Sequence, residues 1–66
     1  MSPKRLGMTL KRLREKRGLT QAALADRADL HRVYVAQIES QAKVPSLAAL
    51  ERLAKALGVR VTKLLD

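Results

Sequence analysis

The side chains of this chain offer hydrogen-bonding chemistry and little that makes or breaks covalent bonds. Fourteen Lys and Arg stand against six Asp and Glu, with one His and no Cys. A thiolate nucleophile, a disulfide and a Cys-ligated metal are excluded, and a single imidazole cannot build a metal cluster. No nucleophile stands beside a base, no Gly-rich loop is present, and Asp26 and Asp29 read as ordinary helix-end carboxylates. Neither an enzyme nor a cofactor is expected. What remains is recognition. In the run from His31 to Ser40, Val35 and Ile38 share one side of a helix turning about 100° per residue, and Val33, Ala36, Gln37 and Ser40 point away from it. Arg32 lies on one flank and Tyr34 on the other. Such an outward face, without large charges, suits the edges of bases. Gln37 can pair bidentately with adenine N6 and N7, Arg32 with guanine O6 and N7, and Val33 can lie against a thymine methyl, while Ala36 permits close approach. The plainer alternatives are a singly exposed apolar Val33 and a merely solvated Gln37.

A net charge of +8 on 66 residues favours a polyanionic partner, nucleic acid ahead of an anionic membrane surface or an acidic protein. Twelve Leu, five Val and one Ile, with ten Ala beside them, can close one compact core. One domain over residues 1–66 is therefore expected, with no room for a second. No stretch approaches the roughly 20 apolar residues of a membrane span. The basic N-terminus has no apolar run behind it, so a cytoplasmic protein is expected.

The elements that must position these residues are helices, because runs of β-branched and aromatic residues with period two are nearly absent. Leu6, Leu10 and Leu13 form one stripe of a first helix, with Lys11, Arg12, Lys16 and Arg17 on its other faces and Gly18 as its left-handed end. Thr20 N-caps a short second helix through Ala28, whose inner face is Leu24, Ala25 and Ala28. A turn at Asp29-Leu30 leads to the third helix, about 31–40. After a loop from Gln41 to Pro45, Ser46 N-caps a fourth helix expected to bury Leu47, Leu50, Leu53, Ala54 and Leu57 before Gly58 ends it. Val61 to Leu65 make a last apolar turn or two. The expected fold is all-α, a compact five-helix bundle.

Two short helices joined by a tight turn on a basic body invite a helix-turn-helix test. Counting from Gln21, the fourth position must pack inward and is Leu24. The fifth must be small, because the two helices cross closely there, and is Ala25. The ninth sits in the turn with φ > 0 and is Asp29, a residue that tolerates the left-handed region better than most. The fifteenth and eighteenth wedge the second helix onto the first, and are Val35 and Ile38.

Thr20-Gln21-Ala22-Ala23-Leu24-Ala25, Val35-Ala36-Gln37-Ile38-Glu39, Pro45-Ser46-Leu47 and Leu53-Ala54-Lys55-Ala56-Leu57-Gly58-Val59 together resemble the Cro/repressor (XRE) helix-turn-helix family over roughly residues 6–65. As a set they are highly specific for it. Within that family, Leu30-His31-Arg32-Val33-Tyr34-Val35 is similar to the controller proteins of restriction–modification systems. The resemblance implies a lambda-repressor-like DNA-binding domain with the third helix in the major groove. Thr20 and Gln21 open the second helix, where free N–H groups and the positive end of the helix dipole attract a phosphate, and the resemblance implies that contact for Gln21. Ser40, Lys43 and the Tyr34 hydroxyl are further candidate phosphate contacts, with packing at the core margin the alternative for Tyr34, and His31 is either an N-cap or one more. Glu39 is out of place on a helix meant for DNA unless a cation neutralises it. The resemblance implies a bidentate pair with Arg14.

Three positions depart from the family pattern. Asp29 and Gln41 stand where Gly is usual, and Arg60 stands where a Ser or Thr often caps the fifth helix, so that helix is expected to begin near Thr62. One domain reads only about four to six base pairs. A homodimer on a palindromic operator is expected, through Val59, Val61, Leu64 and Leu65, unless these close the monomer's own core. Regulation of transcription is the leading function. An antitoxin or adaptor whose DNA binding is secondary, and a sequence-blind nucleic-acid binder, are the alternatives.

Overall fold

The computed structural model describes residues 2–66. Five helices follow one another, α1 (Pro3–Lys16), α2 (Gln21–Ala28), α3 (Arg32–Glu39), α4 (Leu47–Leu57) and α5 (Val61–Leu65), with no strand among the described residues. Their starts are set by local hydrogen bonds. Thr20 Oγ1 accepts from the Ala23 N–H at 3.0 Å and Ser46 Oγ from the Ala49 N–H at 3.1 Å, each satisfying a donor that the first helical turn leaves open.

Four helix ends share one device. Gly18, Asp29, Gln41 and Gly58 all take left-handed backbone, with φ of 69°, 56°, 73° and 69°. The next N–H in each case, from Leu19, Leu30, Ala42 and Val59, donates to a carbonyl five residues back, at 2.8–3.1 Å. This is the Schellman arrangement, which Gly fits without strain. Asp29 and Gln41 hold the same geometry with a Cβ, and Gln is the less suited of the two.

The core is a continuous aliphatic cluster. Leu6, Leu10 and Leu13 of α1 meet Leu24, Ala25 and Ala28 of α2, Val35 and Ile38 of α3, Leu50, Leu53 and Leu57 of α4, and Leu64 of α5. Two expectations are corrected here. Leu47 is 66% exposed and not part of the buried stripe. It opens α4 and lies roughly 90° round the helix from the Leu50–Leu53–Leu57 face. The fifth helix starts at Val61, not Thr62, with Arg60 in the N-cap position although its side chain makes no capping bond. A polar cap is dispensable because the Leu64 side chain docks into the core and anchors this short helix. Among the described residues, no helix is long and apolar enough to cross a membrane.

Candidate nucleic-acid interface

The turn between α2 and α3 decides where α3 points. Leu24, Ala25, Val35 and Ile38 are all buried, so the four packing offsets of the motif face the core together. Asp29, at the ninth position, turns the chain in left-handed conformation. Its carbonyl oxygen accepts from Arg52 Nη1 at 3.3 Å, which ties the turn to α4.

With Val35 and Ile38 inward, the rest of α3 must face out. Arg32 and Val33 are exposed, Ala36 and Gln37 half-buried. Val33 is 48% exposed, high for a large aliphatic side chain in so small a body. Two hollows flank it. One lies between the start of α2 and α3, where Thr20, Gln21 and Ala22 face Arg32 and Ala36. The other holds His31, Tyr34, Gln37 and Lys43. The structure thus gathers nine of the ten residues expected at base edges or phosphates around one ridge. Ser40 lies outside both hollows, and its hydroxyl donates to the Gln37 carbonyl at 3.2 Å. It must release that bond to meet a phosphate.

Several of these groups have their polar atoms set by the protein. His31 Nδ1 accepts from the Val33 N–H at 3.1 Å and so caps α3. With Nδ1 accepting, a neutral ring carries its proton on Nε2. Tyr34 Oη accepts from the Ser46 N–H at 3.2 Å, pinning α3 to the start of α4. Its own O–H stays available as a donor, and its ring packs against the core margin. The Thr20 hydroxyl accepts a capping bond and likewise keeps its proton free. Beside it the first N–H groups of α2 have no helical carbonyl to meet.

Glu39 is the one carboxylate of α3, and it is neutralised inside the protein. Arg14 Nε donates to Glu39 Oε2 at 2.7 Å and Nη2 to Oε1 at 3.0 Å, in a parallel two-bond pair. Arg14 Nη1 donates in addition to the Leu19 carbonyl at 2.8 Å. Gln21 Nε2 reaches the same Glu39 Oε1 at 3.0 Å. The Glu39 side chain is only 4% exposed, so it presents no negative surface beside the α3 ridge. Its hydrogen bond holds the Arg14 guanidinium above the ordinary Arg range, partly opposed by burial, with the nearby Glu39 and Glu15 charges adding to the rise. An upward shift means that Arg14's electrostatic stabilisation is complete everywhere below its unfolded pKa and is lost only at extreme alkalinity. Arg14 is not a pH switch in the neutral range.

Three features had escaped sequence reasoning. A side-chain carbon on Gly7 would fall 2.8 Å from both the Ile38 and Glu39 carbonyl oxygens, so α1 touches the end of α3 backbone to backbone. A glycine inside an apolar-periodic helix was the available signal. The Gln21–Glu39 bond and the Arg52 bond to Asp29 had no local signal. One expectation fails. Leu64 is 1% exposed and closes the core of the monomer, so it cannot form a dimer contact. Val59 and Val61 are half-buried against the same core, while Leu65 is 37% exposed.

Fold and ridge define a helix-turn-helix protein. The helix-turn-helix family model HTH_3 matches residues 10–64. The chain is 46% identical over 57 residues to the immunity repressor protein of Bacillus phage phi105, covering 86% of this chain but 40% of that repressor. The crystal structure of the restriction–modification controller protein C.AhdI from Aeromonas hydrophila superposes with a TM-score of 0.92 at 34% identity, covering 94% of each chain. SinR, a master regulator for biofilm formation solved in complex with DNA, superposes with a TM-score of 0.89 at 32% identity, covering 92% of this chain and 98% of that one. The chain belongs to the HTH_3 family of helix-turn-helix proteins, the XRE type.

Proposed function

We propose that this protein regulates transcription in the cytoplasm by reading a palindromic duplex operator as a homodimer, with α3 in the major groove. The observation that carries the reading is the exposed ridge of α3, where a guanidinium, an amide and an isopropyl group stand outward while the only carboxylate of the helix is paired beneath. On this reading Arg32 and Gln37 make bidentate base contacts, Val33 meets a thymine methyl, and Ala36 lets the helix seat deeply. Phosphates are held by Thr20 and Gln21 at the start of α2 on one side, and by His31, Tyr34, Ser40 and Lys43 on the other. The net charge of +8 adds long-range attraction.

The body measures 24 × 22 × 21 Å. Two such bodies side by side can set their recognition helices about 34 Å apart, one turn of B-DNA. Val59, Val61 and Leu65 supply the apolar contact between them. Selection of bound duplexes from a random pool tests the whole reading. It should return two inverted half-sites with a fixed spacing. Recovery of no sequence above the non-specific background would overturn it, and single, unpaired half-sites would overturn the dimer.

A further inference from the structure

The outer face of α1 is the other place where this surface departs from plain solvation. With Leu6, Leu10 and Leu13 turned inward, Met8 stands opposite and is 60% exposed. It lines a shallow hollow together with Ser2, Lys4, Arg5, Thr9 and Arg12. Three cations and no carboxylate border this apolar side chain. The hollow is not part of the α3 ridge, because α1 meets α3 along Gly7, and Met8 lies about 100° round the helix from it.

We propose that this face docks an acidic amphipathic helix of another protein, whose apolar residue covers Met8 while carboxylates one turn to either side meet Lys4, Arg5 and Arg12. Charge complementarity selects the acidic partner, and Met8 selects a protein over a nucleic acid. A phosphate backbone would satisfy the cations but has nothing apolar to lay on the thioether. Methionine also adapts its shape to a partner side chain more readily than a branched residue does. A second copy of this chain is disfavoured, since it would set one basic face against another on a body of charge +8. A lipid surface needs a broad apolar stripe, and one side chain does not make one. The cluster of Arg27, Arg52 and Lys55 serves as an internal contrast. It also carries three cations, but its apolar lining is Ala28 and Ala56 and Asp29 lies among them.

The test uses the full chain, labelled for amide NMR and free of DNA, so its outcome is independent of operator reading. The probe is a synthetic helical peptide about four turns long, with Glu at every fourth position on both flanks of a Leu stripe. Saturable shifts should be confined to the α1 amides around Met8. Met8→Ser, at an exposed position, should keep the fold and weaken binding about five-fold. Joint reversal of Arg5 and Arg12 to Glu should weaken it about ten-fold or more. Equal shifts at the Arg27–Arg52–Lys55 cluster would reduce the effect to general attraction and overturn the proposal. So would undiminished binding of a peptide with its Leu replaced by Ser, or equal displacement of the same signals by a short random duplex. Movement of the α1 signals on concentrating the protein alone would assign the face to self-association instead.

Discussion

The Gln21 amide and the Arg14 guanidinium end on the same oxygen of Glu39, each 3.0 Å away. One carboxylate therefore joins α1, the start of α2 and the end of α3.

Glu39→Gln should remove the charge while keeping the shape, leaving Arg14 buried without its partner. We expect a loss of about 3 kcal/mol in denaturant unfolding. Gln21→Ala, which leaves the ion pair intact, should lose about 1–2 kcal/mol. Equal stability of Glu39→Gln and the parent would show that the pair does not lock α1 to α3.

Gly7 is the second contact between those helices. A methyl there meets two backbone carbonyls, and backbone cannot yield as a flexible side chain would. Gly7→Ala should destabilise by about 1–3 kcal/mol, against the small gain that Ala normally brings to a helix interior. Thermal unfolding gives the sign directly.

Gln41 holds left-handed backbone with φ of 73°. Gln41→Gly should relieve that strain and raise stability by about 0.5–1 kcal/mol, seen as an upward shift of Tm. A fall in Tm would mean that the Gln41 side chain contributes more than its backbone loses.

Leu64 and Leu65 are neighbours with opposite burial, 1% and 37% exposed. Leu64→Ala should cost about 2–5 kcal/mol by opening a cavity, a large part of the stability available to so small a domain. Leu65→Ser should leave unfolding almost unchanged while weakening self-association in sedimentation. Intact dimers in the Leu65 variant would move the interface elsewhere.

On the duplex, Arg32→Ala should relax preference at one base pair and lose about 1–3 kcal/mol of specific binding. Lys43→Ala should weaken all sequences alike and lower the salt slope by about one. Binding titrations at several salt concentrations, on operator and random duplexes, separate the two.

Much of the fold was legible in the chain because its signals are local. Whether Gly18, Thr20, Ser46 and Gly58 start or stop a helix is decided by hydrogen bonds within about five residues, and the aliphatic spacing of Leu24, Ala25, Val35 and Ile38 marks which sides must meet. The outward set of Val33, Ala36, Gln37 and Ser40, with Arg32 on its flank, follows from that inward set by helical geometry alone. The Arg14–Glu39 pair was legible only through likeness to a family, since nothing between positions 14 and 39 encodes their meeting.

Tertiary structure decided the remainder. An apolar residue at an element's edge has no intrinsic side, and its burial depends on what docks beside it. Leu47 opens α4 away from the buried stripe and stays exposed, whereas Leu64 is carried into the core by the packing of α5. Gly7 matters only because α3 ends against it, and Asp29 gains Arg52 only because α4 crosses behind the turn. Local hydrogen bonding is written into neighbouring residues; the meeting of distant surfaces is set by how whole helices share one small core.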